Sequence, residues 1–452
     1  MLKEERFHFI GIGGAGMSAL ALLLLRAGKQ ITGSDLQMSS YAQRVKREGA
    51  KVFLGHHQRY LGNPQIVVFS SAIPADNPEM QLARRKKITL LHRAELLSAL
   101  SREKQSIIVS GMHGKTTTAN ILATILIKAG WKPTVALGGE SFDLNGNAYL
   151  GKGDYFIAEA DESDGSFLHF LPTYAVITNI DSEHLDFYGD KEKILSVFTQ
   201  FLQRVKRIIF YNAQDENIER IISGLRSCQK VSFGLSEDCD LFASQIEEKG
   251  ETTQFECIFK RKKLGRISIP LLGRHNVLNC LAGIAPCLEL GVDFATLKRG
   301  LEEYRGVARR GEVKRREGIM VIEDYAHHPT ELSAVISTYL SFKKRRIISI
   351  FQPHRYTRTK FLFRKFGECF NNSDLVILTD IYPANEKPIK GVSSKMILEA
   401  IKEQDQVPAI LLPKNQIVEY LRKTVREGDV VLVLGAGDIG EISRELVRME
   451  VG

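Results

Sequence analysis

Ile107-Ile-Val-Ser-Gly-Met-His-Gly-Lys-Thr-Thr-Thr118 is the stretch from which the rest of this 452-residue chain is read. The apolar run Ile107–Val109 predicts a strand, and the residues from Lys115 to about Ala129 predict a helix with Gly130 as its C-cap. A glycine-containing turn, Ser110–Gly114, joins them. A glycine-rich turn between strand and helix, ending Gly-Lys-Thr, cradles phosphate. Backbone N–H groups surround the anion, Lys115 reaches the outer phosphates and the Thr116 hydroxyl meets Mg²⁺. Val109 stands where the G-x-x-x-x-G-K-[ST] pattern begins with glycine, so the loop is a variant.

A second phosphate-binding signal lies upstream. Strand Phe7–Ile10, the turn Gly11-Ile-Gly-Gly-Ala-Gly16, a helix from Met17 to Ala27 and a strand ending near Asp35 form a βαβ opening. Gly11, Gly13 and Gly16 let a backbone approach a pyrophosphate, which leaves a dinucleotide and a sugar nucleotide both open. Gly435-Ala-Gly-Asp-Ile-Gly440 repeats the pattern and is read as a tight strand-to-helix turn. An NAD-dependent dehydrogenase needs only the first of these loops. The apolar stretch Phe7–Leu25 is broken by four glycines and is not followed by a cleavage motif, so it is read as strand, loop and helix.

The length predicts two or three domains. Residues 1–103 hold the βαβ opening and a strand at Val67–Ser71. Residues 104–306 hold the phosphate loop, strands Tyr155–Glu159 and Ala175–Asn179, an antiparallel meander (Leu241–Ser244, Gln254–Phe259, Gly265–Ile269) and a helix from about His275. Residues 307–452 alternate strand and helix through Met320–Asp324, Glu331–Leu340, Ile347–Ile350, Leu375–Asp380 and Val430–Leu434. The class is α/β throughout.

Hydrophobic content of 44% and charged content of 25% exclude disorder, and the net charge of +9 favours acidic partners. No block of five like charges occurs, so scattered, solvated lysines and arginines account for most of this balance, and phosphorylated small molecules fit the rest without nucleic acid. Six dispersed cysteines with no CxxC pair argue against zinc or disulfides and fit a reducing cytoplasm.

Further chemistry sits at predicted strand ends. Asp154-Tyr-Phe-Ile-Ala-Glu-Ala-Asp-Glu-Ser-Asp164 offers hard oxygen ligands for Mg²⁺, and Thr178-Asn-Ile-Asp-Ser-Glu-His-Leu-Asp186 puts His184 in a similar place. Asn276 and Asn279, one helical turn apart, suit either an adenine edge or helix capping. Glu323-Asp-Tyr-Ala-His-His-Pro329 and Gln352-Pro-His-Arg-Tyr-Thr-Arg358 each follow a strand, where open α/β sheets bind ligands. Arg355 and Arg358 are suited to clamp a carboxylate or phosphate.

Taken together, these motifs resemble the Mur ligases of bacterial peptidoglycan synthesis, nearly end to end, and most of all the branch that adds L-alanine to UDP-N-acetylmuramate. The resemblance implies three domains: a Rossmann-like N-terminal domain for the UDP-sugar, a central P-loop ATPase-like domain with a small antiparallel sheet for ATP, and a Rossmann-like C-terminal domain for the amino acid. It implies an acyl phosphate intermediate, with ATP and Mg²⁺ required. Gly11, Gly13, Gly14, Ala15, Gly16, Met17, Ser34, Asp35, Ser70 and Ser71 would take the UDP portion. Gly111, Met112, His113, Gly114, Lys115, Thr116 and Thr117 would cradle the ATP phosphates, His275, Asn276 and Asn279 would lie by the adenine, and Arg310, Asp324 and Tyr325 would complete the nucleotide site. Thr116, Glu159 (or, failing it, Glu162) and His184 would hold metal. His327, His354, Arg355 and Arg358 would close over the reacting centre and L-alanine. The implied partners are small molecules, with no nucleic acid and no membrane insertion, in a cytoplasmic monomer or weak homodimer.

Three positions depart from the family pattern. Met112 replaces a threonine but leaves the backbone donors intact, Gly311 replaces an aromatic after the paired arginines, and Asn385 replaces a glycine in a turn that accepts asparagine. The absence of a lysine near Val197–Gln200, where sister ligases carry a carbamoylated one, fits the alanine-adding branch. The rivals are a recycling ligase that attaches a tripeptide to the same sugar acid, an NAD-dependent oxidoreductase and a non-catalytic ATP-binding regulator.

Overall fold

The computed structural model describes residues 3–181, 185–226, 228–315, 318–341, 345–384 and 386–448. They form two compact units, the first made of Met1–Glu247, Gln254–Pro270 and Val277–Val307, the second of Glu248–Thr253, Leu271–Asn276 and Ala308–Gly452. Three α/β domains share these units, each built on one sheet.

The first sheet has five parallel strands in the spatial order Lys51–Leu54, Gln30–Asp35, Arg6–Ile10, Ile66–Phe69, Thr89–His92. The order reverses between Arg6–Ile10 and Ile66–Phe69, and a crevice for ligand opens beyond the strand ends at such a switch point. The glycine turn follows one of these strands and Ser70-Ser71 the other. The helix Ala15–Arg26 buries Met17–Leu24 without interruption, as a helix apolar all round must. Its second covering layer comes from the central domain, strands Thr134–Ser141 and Gly146–Tyr149. Asn147 Nδ2 donates to Ala15 O at 2.7 Å and Ser18 Oγ at 2.9 Å, pinning the helix start to that hairpin.

The central sheet has ten strands. Gln105–Ser110 lies between Tyr155–Glu159 and Tyr174–Ile177, parallel to both, so the loops after all three emerge at the same edge. The expected meander forms as Leu241–Lys249, Thr252–Phe259 and Lys262–Ile269, joined by the two-residue turns Gly250-Glu251 and Lys260-Arg261. It extends the edge of the ten-stranded sheet instead of standing apart from it.

In the second unit six strands run in the order Glu312–Arg315, Met320–Asp324, Val430–Leu434, Ile347–Phe351, Leu375–Leu378, Ala409–Leu411, all parallel except the first. The helix Lys115–Lys128 ends one residue short of the expected position. Ala129 is its cap, and Gly130 at φ +78° takes the left-handed position just beyond. The segment Gly435–Gly440 is the expected strand-to-helix turn, between Val430–Leu434 and Gly440–Val447.

Candidate active site

In the first unit the phosphate loop is shaped by the neighbouring strand end. Asn179 accepts the Met112 N–H through its backbone oxygen (3.2 Å) and the His113 N–H through Oδ1 (2.9 Å), and returns Nδ2–H to His113 O (2.9 Å). Gly111 at φ +131° lies so close to Thr178 Oγ1 that a Cβ has no room. Gly114, at φ +81°, starts the helix with no side-chain cap, and a Cβ there would strike Asn279 Oδ1. Other helices in this unit are capped by Ser39, Asn77, Asp190, Asp215 and Asp293 side chains. An uncapped helix start leaves its first N–H groups for an anion. Met112 turns its side chain into the core, 6% exposed, so the lost hydroxyl is replaced by packing while the loop backbone is kept.

Lys115 Nζ donates to Gly111 O at 2.6 Å and to both oxygens of Glu162 at 2.8 and 2.9 Å. Thr116 Oγ1 donates to Glu159 Oε2 at 2.7 Å, and Gly138 N–H to Glu159 Oε1 at 2.6 Å. The acidic run therefore divides its labour: Glu159 lies with the threonine hydroxyl and Glu162 with the lysine. Thr116 and Glu159 put two hard oxygens side by side at the loop, a donor set that fits Mg²⁺. Burial pushes the Glu162 carboxyl up to about 8 against the pull of Lys115. Burial would also raise Asp161, but the charges of Arg93 and Lys115 outweigh it and bring the carboxyl down to about 2. His113 Nε2 lies 3.5 Å from Asp181 Oδ2. His184 falls outside the described residues.

At the other loop of this unit, Gly11 and Ile12 donate to Ser34 O (2.8 and 3.1 Å), and Gly13 donates to Asp35 Oδ2 (2.8 Å). Asp35 is thus held against the glycine turn. Gly16 lies against Arg93, whose side chain would crowd a Cβ there at 3.0 Å. Met17 is core, and Ser34 is buried with its hydroxyl turned to Glu79 and His56. Gly14 caps the helix without a side chain, ahead of Ala15. Ser70 O accepts from Ile73 N, while Ser71 Oγ lies 3.0 Å from His92 Nε2 and bonds Asp164, tying the serine loop to the acidic run.

The second unit holds its own polar cluster. Arg310 lies over the Tyr325 ring (5.0 Å to the centroid) with Glu331 Oε1 at 3.8 Å. Gly311 at φ +62° explains the missing aromatic: its N–H donates to Asp324 Oδ2 at 2.7 Å in a conformation that glycine adopts readily. Burial pushes the Asp324 carboxyl up to about 6. His327 Nδ1 meets Tyr325 O at 3.0 Å, and its ring lies 5.6 Å from that of His354. Arg358 Nη1 lies 3.1 Å from His354 Nδ1, and burial followed by the nearby positive charges pulls His354 down to about 2. Arg355 sits at φ +72°, strained for a side-chain-bearing residue, with its N–H donated to Tyr382 O. Asn276 Nδ2 turns back to Leu272 O at 2.8 Å, and burial lowers His275 to about 4.

Two residues escaped the sequence reading. Asn179 clamps the loop from the end of a buried strand, where its polar side chain is the one signal of that role. Arg309, the neighbour of Arg310, forms an ion pair with Glu323 at 2.7 Å and donates to the carbonyls of Gly435 and Gly437, an anchoring role that no local pattern reveals.

Three family models match in succession: the Mur ligase family catalytic domain over residues 6–105, the Mur ligase middle domain over 109–287, and the Mur ligase glutamate ligase domain over 309–437. The chain is 43% identical to UDP-N-acetylmuramate–L-alanine ligase of Geotalea daltonii, across 99% of this chain and 98% of the relative. To the enzyme of the same name from Dictyoglomus turgidum it is 42% identical, across 99% and 97%. The crystal structure of UDP-N-acetylmuramate-alanine ligase MurC from Thermotoga maritima superposes with a TM-score of 0.84 at 31% identity, covering 98% of each chain. A murein peptide ligase from Psychrobacter arcticus shares the fold, with a TM-score of 0.74 at 23% identity. Matched from residue 6 to residue 437 and along its whole length by such relatives, the chain belongs to the Mur ligase family.

Proposed function

We propose that this chain joins L-alanine to the lactyl carboxylate of UDP-N-acetylmuramate, converting ATP to ADP and phosphate. The observation that carries this reading is the full-length identity of 43% to a curated ligase bearing that one activity. The carboxylate attacks the γ-phosphorus of ATP and ADP leaves. The L-alanine amine then attacks the acyl carbon, a tetrahedral intermediate forms, and phosphate departs as the amide is made.

Protein catalysis of this kind is positioning and charge stabilisation. Lys115 holds the outer phosphates while the amides of the uncapped helix start take the remaining charge. Thr116 and Glu159 would hold Mg²⁺, with His184 a further ligand by family resemblance; when bound, the ion neutralises phosphate oxygens. The 1–103 segment takes the UDP-sugar on Gly11–Gly16, Asp35 and Ser70-Ser71, and 104–306 takes ATP, with His275, Asn276 and Asn279 assigned to its adenine. In 307–452, Arg310, Asp324 and Tyr325 serve the nucleotide, and His327, His354, Arg355 and Arg358 serve the reacting groups and L-alanine. The phosphorylated substrates put the reaction in the cytoplasm. Among the described residues no helix is long and apolar enough to cross a membrane.

Phosphate release from Mg-ATP, with UDP-N-acetylmuramate and L-alanine each omitted in turn, tests the reading. Release that requires all three, with a product heavier by one alanyl residue, is expected. Release with a tripeptide in place of L-alanine would make the chain a recycling ligase, and no release with either would sink the ligase reading.

A further inference from the structure

The N-terminal sheet buries a charged group for which the reaction has no use. Glu79, in the helix Pro78–Arg85, and His8, in the strand Arg6–Ile10, both have side chains 0% exposed. Glu79 Oε2 accepts from His8 Nε2 at 2.5 Å and from Ser34 Oγ at 3.0 Å. Its Oε1 lies 3.2 Å from His56 Nδ1 and accepts the His57 N–H at 3.2 Å. The partners are themselves held: His8 Nδ1 is 2.7 Å from Thr32 Oγ1, and Ser34 Oγ is 2.9 Å from His56 Nδ1. One carboxylate thus joins the first strand, the end of the second and the loop after the third.

Burying a carboxylate is unfavourable, and apolar residues of similar volume would fill the same space at least as stably. The network therefore calls for a reason beyond packing, and Ser34 supplies it. The carbonyl of Ser34 accepts the N–H groups of Gly11 and Ile12, and the next residue, Asp35, accepts that of Gly13. Three successive amides of the glycine turn thus hang on the strand end whose one side-chain hydroxyl is tied to Glu79. Burial would raise the Glu79 carboxyl, but His8, Ser34 and His56 together hold it below the ordinary carboxylate range, so it stays an anion.

We propose that Glu79 is a positioning residue for the sugar-nucleotide subsite, fixing the glycine turn through Ser34 with His8 and His56 as its supports. The proposal rests on the reading that this turn receives the UDP-sugar, and it assigns Ser34 to holding the loop instead of touching the ligand.

The test is UDP-N-acetylmuramate binding by calorimetry, alongside KM for each substrate and kcat, in the full chain, Glu79→Gln, Ser34→Ala and the double variant. Glu79→Gln is expected to raise Kd and KM for the UDP-sugar about tenfold, as when a buried charge-assisted bond is lost. Its kcat and its KM for ATP and L-alanine stay within about twofold. Ser34→Ala produces a similar rise, and the double variant is no worse than the weaker-binding single one, since both cut one link. Uniform loss across all parameters, additive effects, or an unchanged UDP-sugar KM in either variant overturns the proposal. Should Glu79→Gln not fold, Ser34→Ala alone decides by the same KM criterion. A wild-type chain that binds no UDP-sugar overturns the functional reading and this proposal together, whereas wild-type binding with unaffected variants overturns only the proposal.

Discussion

The turns Gly11–Gly16 and Ser110–Gly114 each lead a buried parallel strand into a helix that starts on glycine without a side-chain cap. They differ in what holds them. The first hangs on backbone and carboxylate oxygens of the second strand, Ser34 O and Asp35 Oδ2, and the side chain that meets its amides is an anion. The second is clamped by the amide side chain of Asn179 and carries a cation, Lys115, tied to two loop carbonyls and a buried glutamate. A carboxylate with spare lone pairs suits a ligand part that donates hydrogen bonds, such as a ribose or a base. A lysine poised over an uncapped helix start suits a phosphate on which charge moves. The same local geometry thus presents carboxylate lone pairs in one place and a cation beside an uncapped helix start in the other.

The strongest way to break this contrast is Lys115→Ala. Turnover should fall by at least about 10²–10³-fold, the scale for losing a preorganised charge donor, while calorimetry shows UDP-sugar affinity intact. Equal loss of both would mean that the two loops are not separate sites. Next, Glu159→Gln should raise the Mg²⁺ concentration needed for half-maximal phosphate release about tenfold or more, with UDP-sugar KM unaffected; an unchanged metal dependence would take Glu159 out of the metal site. Asp35→Ala should act on the other loop, raising the UDP-sugar KM several-fold, on the order of one lost charged hydrogen bond, and leaving the ATP KM alone. A rise in ATP KM instead would reverse the assignment of the loops.

The smallest effect concerns pH. Glu162 is raised from 4.5 to about 8 in the fold, so the folded chain keeps a proton that the unfolded chain releases. Stability from this group is present below the unfolded value and declines as pH rises from 4.5 to about 8. Melting temperatures followed across that window should fall further in the wild type than in Glu162→Gln, by a few degrees at most. Parallel curves would show that Lys115 keeps Glu162 ionised throughout.

Much of this is legible in the sequence. Strands such as Ile107–Val109 and Val430–Leu434 announce themselves because burial on both faces demands unbroken apolar runs. Strand Thr134–Ser141 did not, since Gly138 and Gly139 interrupt its pattern, although Gly138 N–H meets Glu159. The sequence also nominated both Glu159 and Glu162, three residues apart, and ranked Glu159 first by family resemblance.

Their separate partners, Thr116 and Lys115, emerged only in three dimensions, because one glutamate ends a strand and the other lies in the loop beyond it. Ser34 was expected at the ligand and lies inside. Glu79 was not singled out at all: a lone carboxylate near a proline looks like any solvated helix start until His8, 71 positions away, is found at 2.5 Å. By itself the sequence determined the α/β class, the family, and the two glycine loops with their lysine and aspartate, because these depend on periodicity and on motifs contiguous in the chain. Tertiary structure alone decided which glutamate meets Lys115 and which meets Thr116, and that Glu79 stands behind Ser34, because hydrogen bonds between distant residues leave no local pattern to read.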